Sequence, residues 1–192
     1  MDIYILGERG KLMNFTPFPI IETKHLLLRK ITLGDTNDMF EMRKDPRMYE
    51  FLSTKVDENP EETITYIEKM NRGIDEEKWF IWAIEQKQSN KVIGTICIWN
   101  INKEEKTGEL GYGIIPDYRG QGFMKESLVS VIEYGFEVMK LNIIEAYTEE
   151  HNEKSINLLE SCEFVEVERV AEPGDSENQV FTMVVYRLLA YR

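Results

Sequence analysis

The segment spanning residues 113–125 constrains the fold of this chain more than any other part of its sequence. It carries an apolar run that ends at Pro116, a turn with glycines at positions 120 and 122, and then a run with helical spacing. Glycine permits the tight backbone bend and leaves no side chain in the way of a ligand. Amides at the start of the following helix, together with the helix dipole, favour a phosphate group. The segment therefore predicts a phosphate-binding turn between a strand and a helix.

A glycine turn of this kind is a weak signal alone, because such turns also occur where nothing binds. This one lacks the Gly-Lys-Ser/Thr ending of a P-loop and the third glycine of a dinucleotide-binding fold. A second region strengthens the prediction. Residues 141–148 have the composition of a buried strand, polar residues 149–152 lead to a short helix, and residues 164–170 resemble another strand. The order indicates a β-α-β-α-β unit around one ligand.

These motifs resemble the GNAT superfamily of acyl-CoA-dependent N-acetyltransferases, whose phosphate turn has the form Arg/Gln-x-x-Gly-x-Gly/Ala. The corresponding residues here are 119–124, with Met124 where the family prefers a small residue. Residues 21–29, 33–35 and 43–46 are similar to the opening of the ribosomal-protein N-acetyltransferases of the RimJ/RimL type. Residues 152–156 and 158–160 resemble the same branch. The resemblance implies an α/β fold with a central mixed, mostly antiparallel sheet, two splayed parallel strands and flanking helices.

Composition narrows the possible functions. The 192 residues suit a single domain, and the net charge of −12 argues against a nucleic-acid partner. Two distant cysteines, Cys97 and Cys162, are typical of reduced thiols in the cytoplasm, and His25 and His151 share no metal-ligand spacing, so no metal is expected. No apolar run reaches the about 20 residues of a membrane span. We expect a soluble cytoplasmic protein without a membrane partner, and a homodimer stays open.

The domain plan is simple. Residues 1–14 precede anything the family pattern needs, and they are interpreted as a disordered or loosely attached extension, with Met13 as an alternative start. Residues 15–192 are predicted to form one N-acetyltransferase domain.

The resemblance also implies which residues hold acetyl-CoA, the cosubstrate. Backbone groups of Ile114 and Ile115 would pair with the pantetheine arm. Arg119 would add a charge-assisted phosphate contact or remain a surface arginine. Asn152 would hydrogen-bond the arm, cap a helix, or do both. The amides of the turn would bind the pyrophosphate, and they belong to Gly120, Gln121, Gly122, Phe123 and Met124.

The catalytic residues are less well defined. Leu159 stands where many superfamily members have a tyrosine, and leucine cannot donate a proton. The ribosomal branch implies Ser155 instead, either protonating the departing CoA thiolate or contacting the cofactor. Glu109 and Glu145 are the candidates for the base, since a carboxylate among apolar residues has a raised pKa. No arrangement indicates a covalent acyl-enzyme, so direct attack in a ternary complex is expected.

The acceptor is expected to be a primary amine, and a protein N-terminal α-amine is favoured. An α-amine is about a tenth neutral at pH 7 and needs a weaker base than lysine does. A small amine such as a polyamine, aminoglycoside or amino acid is the alternative, and a non-catalytic acyl-CoA sensor is a third reading. Contacts to the acceptor are expected from the first two helices and from a loop near residues 171–178. Candidate residues are Asp45, Tyr49, Glu50, Phe51, Trp82, Glu172 and Asp175.

Overall fold

A computed structural model of the chain describes residues 16–51, 54–173 and 180–190. The predicted extension at residues 1–14 and the candidate Asp175 lie outside these ranges. The strands are β1 Ile21–Glu22, β2 Leu26–Lys30, β3 Phe80–Gln86, β4 Lys91–Asn102, β5 Thr107–Ile114, β6 Ile143–Glu149, β7 Val165–Pro173 and β8 Val180–Leu189. The α-helices are α1 Thr36–Arg43, α2 Pro60–Asp75, α3 Phe123–Glu137 and α4 Glu153–Glu160.

The strands form one sheet in the order β1-β2-β3-β4-β5-β6-β8-β7. Neighbouring strands are antiparallel throughout this order except for β5 and β6, which run parallel. The predicted fold class is therefore confirmed: a mixed, mostly antiparallel sheet with one parallel pair and helices on its faces.

Two predicted helix starts have different outcomes. Asn59 caps α2 as predicted, because its side chain accepts a hydrogen bond from the Glu62 amide and Pro60 follows it. Asp35 precedes α1 but its carboxylate turns away from that helix. It accepts hydrogen bonds from the Thr32 amide and from the Arg29 guanidinium at 2.7 and 2.9 Å. An ion pair with strand β2 therefore replaces the expected helix cap.

Helix α3 covers one face of the sheet. Leu128 and Val131 are fully buried there, and Tyr134 packs edge-on against the stacked rings of Phe80 and Trp82. Trp82 is thus a core residue and does not line an acceptor pocket. The predicted apolar stripe packs against this core, although Ile132 and Phe136 are only partly buried and Tyr134, which was not predicted, takes a buried position.

Gly135 marks a close approach between α3 and the sheet, as predicted. A Cβ atom there would lie 2.9 Å from Ile144 Cδ1 and 3.3 Å from Ile98 Cδ1. The missing side chain therefore brings the helix down onto β4 and β6.

Helices α1 and α2 cover the opposite face. Their buried residues Met39 and Ile67 pack with Ile31, Ala83 and Val92 in a second apolar cluster. Across the parts of the chain that the structure covers, no helix is both long and apolar enough to cross a membrane.

Strands β7 and β5 differ in their ends from the prediction, and the end of β7 changes the expected acceptor-binding loop. Strand β7 runs to Pro173 because it keeps pairing with β8, so Glu172 lies in a strand and not in an acceptor-binding loop. Strand β5 starts at Thr107, three residues before the predicted start, and lengthens the parallel pair.

Candidate active site

A gap opens in the sheet where the two parallel strands separate. Strands β5 and β6 pair from Thr107 and Ile143 up to Leu110 and Ala146. Both strands continue beyond the last pair, to Ile114 and Glu149, but no longer pair with each other. The gap therefore exposes the β5 edge on residues 111–114, which is the splay that the resemblance implied.

The backbone of β5 determines which residues can reach a ligand in this gap. The Ile115 amide donates to the Ile93 carbonyl at 2.9 Å, and the Ile115 carbonyl accepts from the Tyr118 amide at 2.9 Å. Both groups of Ile115 are thus used within the protein. Because backbone groups alternate in direction along a strand, those of Ile114 and Tyr112 point toward the gap. The prediction of a pantetheine contact is kept for Ile114 and is not supported for Ile115.

The glycine turn has the geometry expected of a phosphate cradle. Gly120 and Gly122 have φ values of 73° and 85°, in the left-handed region that favours glycine, and nothing lies within 4 Å of where either Cβ would be. Helix α3 follows immediately, so the amides of Phe123 and Met124 lack partners within the helix. Gln121 steadies the turn by donating from Nε2 to the Asp117 carbonyl at 3.0 Å. The turn thus presents backbone donors beside open space.

Arg119, at the start of the glycine turn, is anchored by residues 47 and 48. Its Nη2 donates to the Arg47 carbonyl at 3.1 Å and lies 3.7 Å from Met48 Sδ. The guanidinium is thereby held next to the glycine turn by the short 3₁₀ helix Pro46–Met48. Its remaining N–H groups are the ones that could reach a phosphate.

A shallow depression of about 370 Å³ adjoins the turn on the outer side of α3. It brings two lysines to the edge of the glycine turn, which sequence reasoning did not single out. The lining residues are Thr23, Lys24, Gly122, Lys125, Glu126, Val129 and Ser130.

Asn152 caps helix α4, since its Oδ1 accepts from the Ser155 amide at 3.2 Å. Its Nδ2 group has no partner within the described part of the chain and remains able to donate to a ligand. Thr148, at the end of β6, is buried with its hydroxyl lacking any hydrogen-bond partner among the residues that the structure describes.

The two candidate bases lie side by side but differ in their environments. Glu109 and Glu145 are register partners on β5 and β6. Arg187 donates to Glu145 at 2.6 and 2.9 Å and holds it in an ion pair. Among the residues that the structure describes, Glu109 has only a 3.5 Å contact with Asn100. Burial, with the nearby charges of Glu145 and Glu172, raises the pKa of Glu109 above the ordinary value. Glu109 is therefore the better placed base.

Ser155 has a partner that sequence reasoning missed. Its Oγ lies 2.8 Å from the Tyr112 hydroxyl, which reaches α4 from strand β5. Leu159 is fully buried in the core and takes no part. Only the three-dimensional arrangement brings residues 112 and 155 together, so no local sequence signal could have identified the pair.

The base and the hydroxyl pair approach the gap from opposite faces of the sheet. Glu109 shares a face with Gly113, which pairs through Thr95 with Ala83 beneath α1 and α2. Tyr112 lies on the other face, with the core that packs against α3 and α4. A molecule threaded through the gap would meet a base on one side and hydroxyl donors on the other.

One cluster of side chains has atoms of the kind that bind metal ions, but two of its members are engaged in contacts within the protein. Glu149, Glu150 and His151 place ligand atoms within 4.8 Å of one another. Glu149 accepts from the His151 amide, and Glu150 pairs with Arg169. The expectation that no metal binds stays a prediction.

The comparison with known proteins identifies the family. The family model described as "Acetyltransferase (GNAT) domain" matches residues 25–165, well over half of the chain. The chain therefore belongs to the GNAT acetyltransferases. The N-acetyltransferase YoaA of Bacillus subtilis, itself uncharacterised, is 32% identical over 142 residues, which cover 74% of this chain and 80% of that protein.

Solved structures share the fold. The ribosomal-protein-S5-alanine acetyltransferase from Vibrio fischeri superposes with a TM-score of 0.77 at 20% identity, covering 88% of this chain and 96% of that one. The spermidine N-acetyltransferase from Vibrio cholerae, solved with CoA and spermine, gives a TM-score of 0.75 at 22% identity, covering 87% and 96%. At these identities the likeness shows the fold alone.

Proposed function

We propose that the protein transfers an acetyl group from acetyl-CoA to a primary amine by direct attack in a ternary complex. The observation that supports this most is the gap beyond Leu110 and Ala146, with Glu109 on one face and the Ser155–Tyr112 pair on the other. This arrangement separates the site of amine activation from the site where the thiolate departs.

Acetyl-CoA would lie with its pyrophosphate on the glycine turn and its arm along β5. The amides from Gly120 to Met124 would hold the pyrophosphate, helped by Arg119. Ile114 would pair with the arm by backbone hydrogen bonds, and Asn152 would donate to it from Nδ2. Lys24 and Lys125 would add positive charge beside the turn for further phosphate on the cofactor.

The reaction itself needs one proton acceptor and one place for negative charge. The amine nitrogen bonds to the thioester carbon while Glu109, directly or through water, takes a proton from that nitrogen. The carbon–sulfur bond breaks and its electron pair stays on sulfur. An aliphatic hydroxyl is a weaker acid than a thiol, so Ser155 would stabilise the thiolate by a hydrogen bond, and solvent would protonate it later. Glu145, held in an ion pair by Arg187, would stay charged and would not take up the proton.

The favoured acceptor is the α-amine of a protein N-terminus, as the similarity to the ribosomal branch implies. A carboxylate base of modest strength suits an α-amine better than lysine. A small cationic amine is the second candidate, because a chain with a net charge of −12 and the carboxylate of Glu109 at the gap would attract a cation. The spermidine acetyltransferase of the same fold supports this alternative by likeness only.

The test is CoA release from acetyl-CoA with two separate acceptor pools. One pool contains short peptides with free N-termini, and the other contains polyamines, amino acids and aminoglycosides. We expect release with the peptides. Release with small amines alone would move the function to metabolite or antibiotic acetylation. Acetyl-CoA binding without release in either pool would favour an acyl-CoA sensor over an enzyme.

A further inference from the structure

Tyr112 occupies a distinctive place in the gap. It lies between Leu110, the last residue of β5 that pairs with β6, and Ile114, which precedes the phosphate turn. Its ring is partly buried against the α3-side core, and its hydroxyl is 2.8 Å from Ser155 Oγ on the first turn of α4. An arm that starts at the glycine turn and follows β5 must end before Leu110, where β6 closes the gap. The sulfur at the end of the arm would therefore lie close to this hydroxyl pair.

The direction of the hydrogen bond follows from what a thiolate can do. A thiolate only accepts hydrogen bonds, so the hydroxyl that contacts it must donate. If Ser155 donates to sulfur, its oxygen is free to accept from Tyr112, and the phenol becomes the outer donor of a two-bond chain. Burial raises the pKa of Tyr112 to about 12, so the phenol keeps its proton at neutral pH. A group with that pKa is a poor proton source for a thiolate, whose acid has a pKa near 8.5.

We propose that Tyr112 is a positioning residue, whose phenol donates to Ser155 Oγ and so aims the serine hydroxyl at the sulfur of CoA. The inference rests on the proposed function. It assigns to Tyr112 and Ser155 together the place left by Leu159 at the usual tyrosine position. No proton leaves the pair in this scheme. Each hydroxyl donates one hydrogen bond, and the negative charge stays on sulfur until solvent protonates it.

The test measures the acidity of bound CoA. The thiolate of CoA absorbs in the ultraviolet, and subtracting the complex with desulfo-CoA isolates that signal during a pH titration. We expect the bound thiol to be more acidic than free CoA. Ser155→Ala should make the bound thiol about 10- to 100-fold less acidic, because it removes a hydrogen bond to an anion. Tyr112→Phe should make it about 5- to 10-fold less acidic, because it removes a bond between two neutral hydroxyls that aims the serine. The double variant should lose no more than Ser155→Ala alone, because Tyr112 acts through Ser155.

The second readout is the turnover rate of the variants. Tyr134→Phe is the matched control. Tyr112→Phe should lower kcat about 5- to 10-fold with little change in the KM for acetyl-CoA, because the serine hydroxyl that it aims stabilises charge only as the thiolate departs. Tyr134 is also a buried tyrosine whose pKa is raised to about 12, but it packs on Phe80 and Trp82. Its phenylalanine variant should leave the acidity of bound CoA unchanged.

Different results would overturn the proposed acetyl transfer and the positioning role of Tyr112. If wild-type protein binds no CoA, the proposed function and this inference are both overturned. If CoA binds and Ser155→Ala shifts the thiol acidity while Tyr112→Phe does not, only the inference is wrong. Fully additive effects of the two substitutions would also overturn it, because independent contacts add.

Discussion

Gly122 combines a left-handed backbone with empty space in front of its Cα. Its φ is 85°, and no atom lies within 4 Å of a Cβ built there. A glutamate at this position would project into the proposed pyrophosphate site with a negative charge, and the left-handed conformation would cost about 1–2 kcal/mol. We expect Gly122→Glu to abolish measurable acetyl-CoA binding in calorimetry while circular dichroism shows a folded protein.

A control separates the lost site from backbone strain. Asn90 lies in the turn between β3 and β4 with φ of 55° and an exposed side chain. Asn90→Glu adds the same charge to a left-handed residue, and we expect normal acetyl-CoA affinity. Unchanged affinity in Gly122→Glu would contradict the assignment of the cradle.

Glu109 is the residue whose charge state should control the rate. Burial and its acidic neighbours raise its pKa, so it becomes a competent base only above that raised value. We expect kcat/KM to fall as the pH drops through the pKa of Glu109, and Glu109→Gln to lower kcat by about 10²- to 10⁴-fold. Glu145→Gln is the comparison. Since Arg187 already holds Glu145 in an ion pair, Glu145→Gln should change the rate far less. Equal losses of rate in the two variants would argue against Glu109 as the base.

The residues of the site differ in how far sequence could identify them. Gly120 and Gly122 are recognisable from the sequence because the turn requires a left-handed backbone. Asn152 is recognisable because it caps the helix that follows it. Tyr112 and Ile115 are not, because their roles depend on partners distant in sequence. Ile115 donates to Ile93, and Tyr112 bonds to Ser155, 43 residues away.

Strand packing around the site can be tested with two glycines. A Cβ on Gly94 would lie 2.4 Å from the Gly113 carbonyl oxygen and 3.1 Å from Ile114 Cα, which are backbone atoms that cannot move without separating β4 from β5. We expect Gly94→Ala to lower the free energy of unfolding in urea by about 2 kcal/mol and to weaken acetyl-CoA binding.

Gly135→Ala is the matched substitution. Its nearest neighbours are the ends of the Ile144 and Ile98 side chains, which can shift, and alanine favours a helix over glycine by about 1 kcal/mol. We expect a net change below about 1 kcal/mol and normal cofactor affinity. Equal destabilisation by both substitutions would contradict the claim that the close backbone contact between β4 and β5 makes Gly94→Ala the more costly change.

The ion pair that ties β2 to the start of α1 predicts an acid-sensitive stability. Burial would raise the pKa of Asp35, but the Arg29 and Thr32 hydrogen bonds outweigh it and leave the pKa below its ordinary value. A carboxylate with a depressed folded pKa stabilises above its unfolded pKa, and that stability is lost as the pH falls through the folded value. Asp35→Asn should therefore cost about 2 kcal/mol at pH 7 and progressively less below about pH 4 in urea titrations.

Asp75→Asn provides the control for charge removal. Asp75, at the end of α2, pairs with Lys30, which follows Arg29 on β2. The side chain of Asp75 is 69% exposed. We expect a change below about 1 kcal/mol that does not depend strongly on acid pH. A similar loss in both variants would contradict a special role for the buried pair.

Most elements follow from local patterns, whereas their ends follow from pairing. Asn59 and Pro60 define the start of α2 in the sequence itself. Strand β7 continues past its predicted end at Val170 because each further residue finds a partner on β8, as far as Pro173 opposite Val180. Such continuation depends on a strand that comes later in the chain, and local propensity does not report it.

The whole molecule separates two faces around one gap. One face carries Glu109 and Glu145, on the side of the sheet that α1 and α2 cover, and the opposite face carries Tyr112, whose hydroxyl meets Ser155 of α4. A charged acceptor would then approach a strongly acidic protein from the face with these two carboxylates (the acidic face), while acetyl-CoA would bind at the glycine turn. Long-range attraction between the acceptor and the chain should then depend on the charge of the acceptor.

Ionic strength provides the measurement at this scale. The net charge of −12 attracts cations over a distance that shrinks from about 10 Å at 0.1 M salt to about 3 Å at 1 M. We expect kcat/KM for a triply charged polyamine to fall more steeply with NaCl than kcat/KM for a singly charged peptide N-terminus. The KM for acetyl-CoA, measured at each salt concentration, controls for effects on the cofactor. Equal slopes for the two acceptors would mean that the acidic face does not guide the amine, and the small-cation alternative would lose its physical support.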